Sequence, residues 1–307
     1  MTGMTEGLLE TEVDRTKSRW VARVLAEFGR PRTTARALFY YALSREEADY
    51  PICGGFVGEI RVTRPYHVSD GSRLEKWLDR ARHFGYVDHQ AILEEAFGEQ
   101  IYMPEEDEVL SHIPDHTELI SHSDPSSPRT CQPCRLELWL DRSALNPLLS
   151  PLCREMGITL VSVERVPSRE AVQAFLSRCA PRTVILCLSD LSLESFAFER
   201  TVAQAVGVPA HLVGSDLEGW GIQVRRLGFT PRQVLDLKLP LVPGRQGSRE
   251  AQNAYQSYVK PKGISSRTMS ELDALEVHYP GGLAGFVRDE LTPIVQEINQ
   301  ECESARQ

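Results

Sequence analysis

The 307-residue chain has no run close to the roughly 20 consecutive apolar residues that a membrane-crossing helix needs. Its opening, MTGMTEGLLETEVD, is polar and acidic and lacks the basic and apolar regions of a signal or transit peptide. Together these absences predict a cytoplasmic protein with no membrane partner. Lysine is scarce, at five residues against 29 arginines, and arginine's planar fork suits phosphate contacts. The seven cysteines are an odd count, and Cys153, Cys179 and Cys187 lie in apolar runs. That pattern predicts reduced, buried thiols rather than a disulfide framework. Also missing are G-x-x-x-x-G-K-[ST], G-x-G-x-x-G after a strand, G-x-S-x-G and H-E-x-x-H. The usual marks of P-loop nucleotide hydrolysis, classical dinucleotide binding and α/β-hydrolase chemistry go with them.

What remains is the composition of a globular protein, 41% apolar and 25% charged, long enough for one large domain or two ordinary ones. The net charge of −9 opposes nucleic-acid binding as a whole-molecule property. The charge is unevenly distributed, however. Residues 15–45 carry eight basic side chains (Arg15, Lys17, Arg19, Arg23, Arg30, Arg32, Arg36, Arg45) and one acid, Glu27. Residues 83–128 carry eleven acids and no lysine or arginine. A local field decides what docks where, so the basic segment keeps DNA in play, while two solvated faces would read the same way.

Residues 15–28 space Trp20, Val21, Val24, Leu25 and Phe28 as one helix face, closed by Gly29. Thr33 or Thr34 can cap a second helix through Ala35 to Leu43. Gly54-Gly55 and GFVGEIRVTRPY predict a turn and a β-ribbon, and residues 72–84 and 88–97 read as further helices. This size and order fit a winged-helix module over 15–98, after a flexible N-terminus at 1–14. Residues 99–134 are acidic, proline-rich and aperiodic, which predicts a linker or insertion. Over 135–300 the pattern alternates: strand 136–140, helix 143–156, strand 158–163, helix 168–179, strand 183–188, helix 193–206 and strand 210–213, with a tail at 301–307. Near-continuous apolar strands between helices predict a parallel sheet covered on both faces, hence an α/β fold.

Three acids fall at predicted strand ends: Asp141, Glu164 and Asp190, with Glu194 one helical turn beyond the last. Carboxylates converging there can hold Mg²⁺ and support an in-line phosphoryl displacement. Asp141 and Asp190 also directly precede helical segments, so they can serve equally as N-caps. His112, His116, His122, Cys131 and Cys134 offer a Zn²⁺ ligand set, although Pro114 interrupts it and no second C-x-x-C exists. Tyr40, beside Arg36 in a basic helix, is either a nucleophile towards phosphate or an ordinary core aromatic.

Several segments together resemble the topoisomerase VI A-like family, with the meiotic double-strand-break transesterase and its bacterial and phage relatives. TTARALFYYAL (33–43) resembles the T-x-R-x-[IL]-[FY]-Y helix, and LDRARHFGYVDHQAI (78–92) the RAR-x-x-G-x-I helix. LELWLDRSAL (136–145) is similar to the first Toprim strand, W-V-E-K-x-A-L, and VILCLSDLSLES (184–195) to the second Toprim motif, G-D-x-D-P-S-G. RRLGFTPRQV, LPLVPGR and SELDAL resemble the relatives' C-terminal signatures.

The resemblance implies a winged-helix (CAP-like) domain followed by a Toprim Rossmann-like parallel-sheet domain, binding duplex DNA as a homodimer. It places Tyr40 as the nucleophile, Arg36 as its arginine, and Asp141 and Asp190 on Mg²⁺. Arg19, Arg23, Arg30, Arg32 and Arg36 become the DNA contacts. The chain departs from the pattern where Asp141 replaces a glutamate, Ser192 replaces the second aspartate, and Leu193-Glu194-Ser195 replaces P-S-G. Glu194 is the carboxylate left to complete the set. The leading expectation is therefore a DNA-binding protein with cleavage weakened or lost. The rivals are an active Mg²⁺-dependent nuclease or transesterase using Tyr40, and a protein-interaction scaffold docking a protein partner through 83–128.

Overall fold

The computed structural model describes residues 10–46, 49–96, 98–104, 134–180, 182–209, 213 and 221–304. The chain divides into two compact units, 1–94 and 95–307.

In the first unit, α1 (Glu12–Phe28) starts at a capping box. The Thr11 hydroxyl accepts from the Asp14 backbone N–H, and the Asp14 carboxylate accepts from that of Thr11. It stops at Gly29, whose φ of +70° is cheap only for glycine. β1 (Thr33–Thr34) leads into α2 (Ala35–Leu43), and of the two threonines Thr34 is the cap, accepting from the Ala37 backbone N–H. The predicted ribbon forms as β2 (Ile52–Val57) against β3 (Ile60–Arg64), followed by α3 (Gly71–His83). Trp20 of α1 joins these elements, meeting Tyr50 and Trp77 edge to face and Tyr66 at a tilt, with ring centroids 5.8, 5.4 and 5.5 Å away. The ribbon tip leaves Phe56, Val57 and Ile60 exposed.

The helix expected over 88–97 does not form. Asp88 caps a single 3₁₀ turn at 89–91, and β4 (Ile92–Leu93) then pairs in parallel with β1. Burial of Ile92 and Leu93 beside Thr33 and Thr34 overrides the local helical pattern.

The second unit is built on a five-stranded sheet ordered β5-β7-β6-β8-β9. Its strands are β5 (Gln100–Tyr102), β6 (Cys134–Leu140), β7 (Thr159–Ser162), β8 (Arg182–Leu188) and β9 (Gly221–Arg226). β6, β7, β8 and β9 are mutually parallel, while β5 is an antiparallel edge on β7. Residues 100–102 therefore belong to the sheet rather than to the linker expected over 99–134, most of which lies outside the described residues. The same holds for most of the strand expected at 210–213, and the outer parallel position is taken instead by β9.

Side chains alternate across this sheet. Trp139, Val161, Ile185, Cys187 and Val224 share one face with α5 (Arg169–Arg178) and α6 (Phe198–Ala205) through Phe175, Phe198 and Val202. The intervening Leu138, Leu140, Leu160, Leu186 and Leu188 are buried on the opposite face. Burial of both faces explains why these strands read as continuous apolar runs. α4 (Asn146–Glu155) joins β6 to β7. After β9 come α7 (Pro231–Asp236), β10 (Val242–Pro243), α8 (Arg249–Val259), β11 (Thr268–Met269), α9 (Asp273–His278) and α10 (Gly282–Ser304). α6 begins five residues later than expected; Leu191 bridges Ser270, and the Ser192 hydroxyl accepts from the Ser195 backbone N–H in a turn before the helix. Among the described residues Cys153, Cys179 and Cys187 form no disulfide, and Cys153 and Cys187 are buried. Among the described residues no helix is long and apolar enough to cross a membrane.

Candidate functional site

The chain runs from β6 outward to β7 on one side, then returns across β6 to β8 and on to β9 on the other. The connections after β6 and β8 thus leave in opposite directions, and in open parallel sheets that reversal marks where ligands bind. Asp141 and Arg142 follow β6 directly, and Asp190 follows β8 by two residues. Because β6 and β8 are neighbours in register through Leu140 and Leu188, the topology brings these three residues to one edge.

Asp141 Oδ2 accepts from the Ser195 hydroxyl at 2.6 Å. Asp141 Oδ1 is buried and has no hydrogen-bond partner. Burial raises the Asp141 carboxyl above the ordinary aspartate value, and the Ser195 hydroxyl and the Arg142 charge oppose the rise without cancelling it. Asp190 Oδ1 accepts from the Leu272 backbone N–H at 2.8 Å, so Asp190 caps the segment before α9 rather than the helix that follows it in sequence. Its carboxyl is raised well above the ordinary range, first by burial and then by the neighbouring Asp141, Glu271 and Asp273, with Arg142 opposing.

Arg142 occupies the middle of these acids. Its Nη1 donates to Asp273 Oδ2, lies 3.9 Å from Asp190 Oδ2, and its Nε donates to Glu95 Oε1 at 3.3 Å. Glu95 is itself fixed, accepting from the Ser143 hydroxyl at 2.8 Å and the Ala144 backbone N–H at 2.9 Å. Asp273 is fully buried, and the Arg142 side chain is only 18% exposed. Burial disfavours the guanidinium charge, yet Asp273, Asp190, Glu95 and Glu271 outweigh it and hold Arg142 protonated.

The residues expected to hold Mg²⁺ do not fit that ion. Glu194 does not join Asp141 and Asp190; it accepts from Arg165 at 2.8 Å and pairs with Arg245 at 3.6 Å, both exposed. Ser192 accepts from the Ser195 backbone N–H at 3.0 Å, closing a local turn. Among the described residues no group of three or more His, Cys, Asp or Glu side chains is arranged to hold a metal ion. His112, His116, His122 and Cys131 of the expected Zn²⁺ set lie outside the described residues, while the backbone of Cys134 opens β6.

In the first unit Tyr40 is fully buried, against Phe39 at 5.0 Å between ring centroids, with the Arg36 guanidinium 5.4 Å from its ring and 4.4 Å from that of Phe39. Arg36 and Tyr40 are therefore adjacent, as a shared helix face requires. Arg23 donates to the Asp49 carbonyl at 2.7 Å and lies over Tyr50. Arg30 is half-buried, whereas Arg19 and Arg32 are exposed and make no side-chain ion pair or hydrogen bond among the described residues.

Sequence reasoning missed Arg142, Glu95, Asp273 and Ser195. Arg142 adjoins the predicted Asp141, and Asp273 lies in the SELDAL segment, but only the fold brings them together. No protein-family model and no curated protein matches the chain. The findings define a mixed α/β protein whose second unit carries a mainly parallel sheet, with a buried acid–arginine cluster at its topological switch point.

Proposed function

We propose that this chain is a duplex-DNA-binding protein of topoisomerase VI A-like architecture, a winged-helix-like unit followed by a Toprim-like unit, acting as a homodimer with strand cleavage weakened or lost. The observation that carries the reading is the place of Arg142. Where the resembled motif W-V-E-K-x-A-L has its lysine, the Arg142 guanidinium is bonded to Asp273 and Glu95 and lies 3.9 Å from Asp190, so the acids of the switch point are already engaged. The helix–ribbon–helix order of the first unit supports the winged-helix half. Arg19 and Arg32, exposed and unengaged, supply phosphate contacts. The buried Tyr40 supports binding without transesterification.

Fluorescence anisotropy of a labelled duplex titrated at several salt concentrations tests this reading. Affinity is expected to fall linearly on a log–log plot, and Arg19→Ala and Arg32→Ala each to reduce the slope by about 0.9. No binding at low ionic strength would overturn the DNA reading and favour a protein-interaction scaffold. Supercoiled plasmid nicked in Mg²⁺ or Mn²⁺ by the wild type but not by Asp190→Ala would overturn the loss of cleavage and restore the nuclease reading.

A further inference from the structure

We propose that Arg165 and Arg245 form a phosphate seat at the carboxyl edge of the second unit's sheet, with the Glu194 carboxylate occupying it until a phosphate group displaces it. Glu194 Oε2 accepts from Arg165 Nη2 at 2.8 Å, while Oε1 lies 3.6 Å from Arg245 Nη1, so two guanidiniums converge on the two oxygens of one carboxylate. Among the described residues neither arginine makes another side-chain hydrogen bond or ion pair, and the two side chains are 65% and 76% exposed.

The fold gathers the three from separate segments. Arg165 follows β7 and Glu194 follows β8, and these strands flank β6, so the pair spans the end of β6, on the edge where an open parallel sheet binds ligands. Arg165 has a φ of +48°, a region that residues other than glycine seldom adopt, and backbone held in that way clusters at ligand sites. Arg245 arrives on the loop between β10 and α8. That loop is fixed by the Gly244 N–H, which donates to the Arg267 carbonyl at 2.8 Å, and by Gly247, where a Cβ would meet the side chain of Leu193 at 2.9 Å. Arg267 and Arg249, which opens α8, are exposed as well.

Exchange of the carboxylate for phosphate follows from the exposure. An exposed ion pair holds weakly, because water competes for both charges. A phosphate group brings more charge and more acceptor oxygens, and guanidinium forks take it bidentately. Glu194 meanwhile keeps the two forks aimed at one point. As a contact to the duplex backbone the seat rests on the DNA-binding reading; as a phosphate seat it is tested with inorganic pyrophosphate alone.

The test is isothermal titration calorimetry of the full-length chain with pyrophosphate in low-salt, divalent-free buffer, with circular dichroism melts to check that each variant is folded. Glu194→Gln is expected to bind about fivefold tighter than wild type, the scale of one unit charge at about 4 Å in water. Asp236→Asn removes the same charge from α7, where Asp236 pairs with the exposed Arg232 at 3.4 Å, and should leave the affinity unchanged. Arg245→Ala and Arg165→Asn, the second keeping a residue that accepts positive φ, should each weaken binding by about tenfold or more and cancel the gain of Glu194→Gln in double variants. Equal gains in Glu194→Gln and Asp236→Asn would overturn the seat. So would unchanged affinity in Arg165→Asn and Arg245→Ala, or no binding by wild type and Glu194→Gln alike. A labelled duplex then identifies the source of the phosphate. The same order of affinities among the variants supports a backbone phosphodiester, whereas a pyrophosphate seat whose variants leave duplex affinity unchanged supports a free phosphate.

Discussion

Glu137 offers the sharpest test of how the sheet carries its switch point. It lies in the middle of β6, four residues before Asp141, and is completely buried. Its carboxylate accepts two hydrogen bonds from Arg178 of α5, both at 2.8 Å, and a third from the Trp139 indole N–H at 2.9 Å. Arg135 pairs with it at 3.2 Å. The Arg178 side chain is 9% exposed, so it cannot recover hydration if its partner is lost. Breaking a buried pair from one side costs about 3–5 kcal/mol. Stranding the indole N–H adds about 1–3 kcal/mol. The two losses share one carboxylate and do not add fully, so Glu137→Ala should lose about 4–6 kcal/mol, a large part of a typical domain's stability of about 5–15 kcal/mol. Glu137→Gln, which keeps an acceptor but not the charge, should lose less. Glu137→Leu/Arg178→Leu should be less damaged than the sum of its single variants, because neither charge is left stranded. Urea unfolding followed by circular dichroism reads all of these. A Glu137→Ala loss below about 1 kcal/mol, or strict additivity in the double variant, would refute the account of a stranded charge.

Two further outcomes concern single contacts. Asp70 is buried and accepts from Arg64 at 2.6 and 2.7 Å and from the His67 backbone N–H at 3.0 Å, tying β3 to the start of α3. Burial pushes its carboxyl up, but the Arg64 and His67 hydrogen bonds and the charges of Arg64 and Arg73 bring it below the ordinary 3.8. Its contribution is therefore present above about pH 3.8 and is lost as pH falls through the lower folded value. Asp70→Asn should cost about 2 kcal/mol at neutral pH, with the gap to wild type narrowing as pH falls below 3.8 in urea titrations at each pH. Gly285 lies in the first turn of α10, where an added Cβ would meet the Pro280 carbonyl oxygen at 2.3 Å. Gly285→Ala should lower stability by about 1–3 kcal/mol, and an unchanged urea midpoint would show that this turn yields more readily than its packing implies.

What the sequence disclosed follows from the range of the forces involved. Helix α1 and strands β6, β7 and β8 were legible because their apolar spacing is local, and their ends fall within a few residues of those expected, although α1 begins at Glu12, inside the stretch 1–14 expected to be flexible. Residues 88–97 and β9 were not, since each is decided by a distant partner: Thr33–Thr34 for the first, the outer edge of β8 for the second. The same distinction governs the cluster. Asp141 and Asp190 announce themselves as strand-end acids. Whether they face a metal, a helix end or each other depends on Glu95 and Asp273, the second lying 131 positions from Arg142. Asp190 shows the consequence: sequence adjacency suggested a cap for the helix after β8, whereas it accepts from Leu272, 82 positions away. A buried charge is specified by its counter-charge, and a parallel sheet assembles that pair from segments far apart in sequence. Local reading therefore finds acids at a switch point, and it takes the crossover order of the strands to show that an arginine from the loop after β6 already stands among them.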